Sequence, residues 1–129
     1  MKSKKFPLVG WSLVLIGIIH NLFGVIAGWR LLVDATNAGL MGVWDTPPSR
    51  GLIFWFLVTG FALIAIGLLA AHLERSGVAI PWSFIVFFGL LTLTGVVLMP
   101  ASGFWLLLFP VAASILRRTR HYPQENTQP

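Results

Sequence analysis

Apolar residues run along this chain in four blocks separated by short polar breaks. The blocks cover about 6–29, 50–73, 81–99 and 103–116. An α-helix rises 1.5 Å per residue, so about 20 apolar residues cross a hydrocarbon core roughly 30 Å thick. The first three blocks reach or approach that length. The last spans only about 21 Å, and Pro110 inside it removes a backbone donor and predicts a kink. The pattern predicts an all-α fold, a four-transmembrane-helix bundle forming a single membrane domain over residues 1–129. The outer loop would be 30–49, and 117–129 a disordered tail.

The breaks carry the punctuation that such helices need. Asp45 or Thr46 followed by Pro47 looks like a helix start, because a side-chain oxygen satisfies free amides and proline suits the first turn. Glu74-Arg75-Ser76-Gly77 is a polar turn in which glycine can end a helix in the left-handed conformation, and Pro81 can open the next. Pro100-Ala101-Ser102-Gly103 reads as a tight turn. Residues 31–41 either extend the first helix or form a short interfacial one. A basic start before an apolar run also suits a signal peptide, but the apolar core of a signal peptide is about 7–15 residues. The first block is longer, and a retained helix is the better reading. Trp11-Ser12 and Gly24-Val25 recur at Trp82-Ser83 and Gly95-Val96. Chance in apolar sequence accounts for this more readily than duplication.

Composition supports the membrane reading. Of 129 residues 57% are hydrophobic and only 10% charged, against about 25% charged in soluble domains. The net charge of +5 is massed at the ends: Lys2, Lys4 and Lys5 before the first block, Arg117, Arg118 and Arg120 after the last. That distribution predicts contact with anionic headgroups and leaves no folded basic face for nucleic acid. The N-terminus, the 74–77 turn and the C-terminus carry most of the basic residues, which places both termini in the cytoplasm. Trp11 and Trp82 would then lie at the inner interface, with Trp29, Trp55 and Trp105 at the outer one. With no cysteine, thiol catalysis, thiolate metal sites and disulfides are excluded.

In lipid, helices associate through close packing at small residues. Gly17, Gly24 and Gly28 share one face of the first helix, and Gly60 and Gly67 lie one heptad apart on the second. They mark packing faces, either within the chain or across a homo-oligomer. Counting along the helices puts His20, Asn21, Thr59, Thr92 and Thr94 in one layer near the bilayer middle, with His20 on the glycine face. An ionisable side chain at that depth is a candidate site. A neutral imidazole offers one donor and one acceptor, which Asn21 and the threonine hydroxyls are placed to meet. The layer is a candidate ligand-binding site; the simpler alternative is an interhelical hydrogen bond that fixes register.

His72 lies roughly 15 Å away in depth, too far to share a haem or metal with His20, and sits where headgroups would be. His121 in the tail carries no signal. No acid lies inside a span, which removes the usual second metal ligand. No metal, cofactor or catalytic residue is therefore assigned. Three functions compete. The leading one is a non-enzymatic lipid- or small-ligand-binding protein or accessory subunit. The others are a small transporter or proton-coupled carrier that titrates His20, and a redox or isomerising membrane enzyme.

Gly17, His20 and Gly24 within 14–24, Phe54-Trp55-Phe56, and the run from Met99 to Trp105 together resemble an uncharacterised family of small bacterial four-helix integral membrane proteins. The resemblance implies a four-helix bundle in the bacterial cytoplasmic membrane and no assigned chemistry. Small multidrug transporters are similar in size and helix count. They rely on a carboxylate in the first helix, and this first helix has none.

Overall fold

The structure, a computed structural model, describes residues 6–119, and its elements are all helices. In chain order they are α1 (Leu8–Ala27), α2 (Trp29–Asn37), α3 (Pro48–Arg75), α4 (Trp82–Leu98) and α5 (Phe104–Thr119). Helices α1 and α3 are long and apolar enough to cross a membrane, while α4 is equally apolar in character but only 17 residues long. The chain divides into two compact units, and α1 and α3 each contribute residues to both. The first unit is Val14–Ala65, and the second is Met1–Leu13 with Ile66–Pro129.

In the first unit, glycines decide how closely α1 approaches α3. A Cβ at Gly17 would come within 2.8 Å of the Gly60 carbonyl, and one at Gly24 within 2.7 Å of the Phe56 ring. Gly28 is covered by Ile53 in the same way. The helical bonding continues through Gly28, from its N–H to Gly24 O and from Leu32 N–H to Gly28 O, yet the regular helix is interrupted at that residue. Beyond it α2 occupies the start of the expected outer loop, with Ala35 buried beneath it.

The rest of that loop is gathered by Arg50. Its Nε and Nη2 donate to Asp34 Oδ2 at 3.0 and 2.6 Å. Its Nη1 donates to the carbonyls of Val43 and Thr46 at 3.3 and 3.1 Å. This fork corrects the expected start of the second long helix. α3 begins at Pro48, not with Pro47 in its first turn, and neither Asp45 nor Thr46 caps it with a side chain among the described residues. Pro48 takes the first helical position, where the missing amide costs nothing, and the Thr46 carbonyl is bonded by Arg50.

In the second unit α3 ends in a Schellman motif. Val78 N–H donates to Leu73 O at 3.0 Å and Gly77 N–H to Glu74 O at 3.3 Å. Gly77 has φ +75°, the left-handed conformation this motif demands and glycine adopts without cost. Pro81, extended at φ −60° and ψ 142°, precedes the first turn of α4. Buried Ile85, Phe88, Thr92, Gly95 and Val96 form one face of α4, and Leu107, Pro110, Ala113 and Ser114 one face of α5. Steps of three and four residues place each set on a single stripe, and the two helices pack as a hairpin, with Phe104 lying against Gly95. The turn between them is held by Ser102 Oγ donating to Met99 O at 2.6 Å and by Trp105 Nε1 donating to Pro100 O at 2.8 Å. Pro110 lies inside α5, where its carbonyl accepts from Ser114 Oγ at 2.7 Å.

Candidate functional site

The polar part of the first unit begins where α1 and α3 pack on glycine. His20 is half-buried, flanked along α1 by buried Gly17 and Gly24 on one side and exposed Ile19 and Phe23 on the other. It therefore sits at the rim of the α1–α3 seam. Its ring stacks on that of Phe56, with centroids 3.9 Å apart and planes 11° from parallel. Its Nε2 lies 3.0 Å from the Phe56 carbonyl oxygen. Phe23 leans on the same Phe56 ring at 6.3 Å and 49°.

Asn21, the next residue, is treated very differently. Its carboxamide rests directly on Gly60, so that a Cβ there would fall on Asn21 Oδ1. Both polar atoms of that carboxamide are buried, and neither has a hydrogen-bond partner among the described residues. A buried polar group without a partner costs about 1–3 kcal/mol. The seam therefore stores an unmet polar demand beside its one polar stack.

The second unit contains a polar junction that sequence reasoning did not find. Glu74, near the end of α3, turns its carboxylate onto the first turn of α1. Oε2 accepts from Gly10 N–H at 2.8 Å and Oε1 from Val9 N–H at 3.3 Å. Arg117 of α5 then donates Nη1 to Oε1 at 2.6 Å. The carboxylate side chain is 8% exposed and the guanidinium 35%. Free amides at a helix start carry partial positive charge, so one carboxylate serves both α1 and Arg117. Gly10 makes the approach possible, because a Cβ there would strike the Ala71 backbone. Around this junction Arg75 lies over the Trp11 ring and Arg118 over the Trp82 ring, each 5.6 Å from the centroid. Arg118 also donates to Ile80 O. The usable signal was scarcity: with only four acids in 129 residues, each buried one needs a partner.

A family model covers residues 4–121, nearly the whole chain and both of these polar regions. The chain belongs to the family of unknown function DUF6463. No curated protein and no solved structure matches it. Family membership therefore brings no assigned chemistry, and the role of this DUF6463 chain has to be argued from its own residues.

In this DUF6463 protein the expected partners of His20 are not the ones it uses. The hydrogen bond goes to a backbone carbonyl of α3, and the threonine hydroxyls turn back onto their own helices. Thr59 Oγ1 donates to Trp55 O at 2.9 Å and Thr92 Oγ1 to Phe88 O at 2.8 Å. Helical threonine commonly satisfies itself this way, which withdraws it as a donor to neighbours. Thr59 and Thr94 are exposed, while Thr92 is fully buried. Gly67 is buried and His72 exposed. Arg117 and Arg118, expected to meet headgroups, are engaged by Glu74, Ile80 and Trp82. Lys2, Lys4, Lys5, Arg120 and His121, and most of the expected tail, lie outside the described residues. No group of three or more metal-binding side chains occurs among the described residues.

Proposed function

We propose that this chain is a four-span integral membrane protein of the bacterial cytoplasmic membrane, with both termini cytoplasmic. In this reading it is non-enzymatic, binding a lipid or other small apolar ligand or serving as an accessory subunit. The bilayer assignment is supported by what each unit leaves uncovered. Leu15, Ile18, Ile19, Leu22, Phe23 and Ile26 form an exposed stripe along α1, and Val86, Phe87, Leu90, Leu93 and Val97 another along α4. Soluble monomers rarely expose contiguous apolar surface on this scale. The end-massed basic residues support the orientation.

The observation that carries the ligand reading is the His20–Phe56 stack at the rim of the seam, beside the unpaired Asn21 carboxamide. It puts polar demand at an apolar surface, which is how small-ligand sites are commonly built. Anionic headgroups remain the proposed partners of Lys2, Lys4, Lys5, Arg117, Arg118 and Arg120.

Native mass spectrometry from mild detergent tests this reading. The expected result is excess mass on the folded protein that His20→Ala abolishes, and the same spectrum reports any homo-oligomer. A clean apo mass for the wild type, together with no binding of an added apolar ligand, would sink the ligand reading. The orientation is tested by single cysteines introduced into this cysteine-free chain, at Gly42 and Thr127, and probed with a membrane-impermeant thiol reagent on intact cells. Labelling is expected at 42 and not at 127; the reverse pattern overturns the orientation.

A further inference from the structure

We infer that the ligand at this seam is an apolar molecule headed by a hydroxyl group, which donates to Nδ1 of His20. The inference rests on the ligand-binding reading above and names the chemistry that reading leaves open.

The argument begins with the carbonyl of Phe56, which can only accept. Nε2 of His20, 3.0 Å away, must therefore carry the ring proton. In a neutral imidazole the other nitrogen is then an acceptor. Nδ1 makes no hydrogen bond among the described residues, and unlike the Asn21 carboxamide it is not among the sealed polar atoms.

No donor in this unit reaches it among the described residues: the Asn21 amide, buried against Gly60, makes no hydrogen bond at all. Backbone amides inside α1 and α3 are committed to their own helices, and Thr59 donates to Trp55 O. An external donor has to supply the bond. Phosphate and carboxylate headgroups are acceptors and do not fit; among donors, a neutral hydroxyl meets an apolar surface at far less desolvation cost than an ammonium. The body of such a molecule has a place to lie, because Ile19 and Phe23 beside His20 are 46% and 63% exposed. The Phe56 ring, stacked under His20 and touched by Phe23, favours a flat group next to the hydroxyl.

The test compares 4-nonylphenol with its methyl ether, which keeps the body and loses the donor. Both are titrated into the full-length protein in detergent, labelled with ¹⁵N at histidine. Phenol is expected to bind about fivefold or more tighter than the ether, the worth of one net hydrogen bond. It should also shift the unprotonated Nδ1 resonance of His20, while the ether leaves it in place. His20→Phe keeps the stack and should bring both probes to the affinity of the ether.

The free protein gives an independent check, since its spectrum should show the proton on Nε2. Equal affinities, an unmoved Nδ1 signal on phenol binding, or a proton on Nδ1 in the free protein would each overturn the inference. A copurified mass without any preference for phenol would do so while leaving the ligand-binding reading standing. If there is neither a copurified mass nor binding of either probe, both fail.

Discussion

Glu74 in the second unit has a partner for each carboxylate oxygen: the amides of Val9 and Gly10, and the guanidinium of Arg117. Asn21 in the first unit has a partner for neither end of its carboxamide among the described residues. Each lies where a glycine lets helices close up: Gly10 against Ala71 beside Glu74, and Gly60 directly under Asn21. Close approach is thus common to both, and what separates the two side chains is that the carboxylate is met and the carboxamide is not, although Arg118 Nε near the junction is also buried without a partner among the described residues. A fully met polar junction holds helices together; an unmet one lowers stability and survives where it serves something else. The comparison assigns structure to Glu74 and leaves the seam as the proposed site.

The sharpest way to break that comparison is to remove the carboxylate. Glu74→Ala leaves two helix-start amides and Arg117 without their acceptor. The expected loss is about 3 kcal/mol, toward the lower end for a broken pair because the guanidinium is partly exposed. Unfolding in mixed micelles reads it directly, and Glu74→Gln, which keeps an acceptor, should recover part. Wild-type stability in Glu74→Ala would show that the junction is idle.

Next in size is Gly60→Ala. The added methyl meets the Asn21 carboxamide, and overpacking of that kind costs about 1–3 kcal/mol. Stability measured by the same titration should fall, and the His20 ring signals should move as the seam opens. An unchanged protein would mean that the two helices do not meet there.

Asn21→Ala should act with the opposite sign. Deleting an unpaired buried carboxamide removes a cost of about 1–3 kcal/mol and leaves a small void. The net is a protein as stable as wild type or about 1 kcal/mol more so. A clear loss of stability would prove that Asn21 is bonded and would remove the contrast with Glu74. The smallest effect belongs to Arg50→Lys, which keeps the charge and loses the fork that holds Asp34, Val43 and Thr46. About 0.5–1 kcal/mol is expected, with proteolysis between Gly39 and Thr46 accelerated; unchanged cleavage would show that the loop does not depend on the fork.

Parts of this molecule were legible because they depend on local chemistry. Gly77 and Pro81 mark a helix end and a helix start, since the backbone conformations they allow do not depend on anything distant. Gly17, Gly24, Gly28 and Gly60 could be singled out by spacing alone, although nothing in the spacing named Phe56, Ile53 or Asn21 as what covers them. The hydrogen bond of His20 was misread for a physical reason. Side chains can be seen in a sequence, whereas the backbone carbonyl that serves as acceptor belongs to every residue alike. The threonines misled similarly, because their hydroxyls return to their own helices. The Glu74 junction was the least legible. It joins residues 64 and 65 positions apart on one side and 43 on the other, and no periodicity records such a meeting.

The Glu74 junction also has a consequence for how this protein is made. The first turn of α1 leaves the ribosome long before the carboxylate that receives its amides, and that carboxylate precedes the arginine that balances it. A chain halted after α4 would carry Glu74 against α1 with no counter-charge from Arg117. The final helix therefore completes the first, and synthesis to its last turn is what releases a finished N-terminal end. A product that stops before α5 would hold α1 through a carboxylate that still lacks its balancing charge.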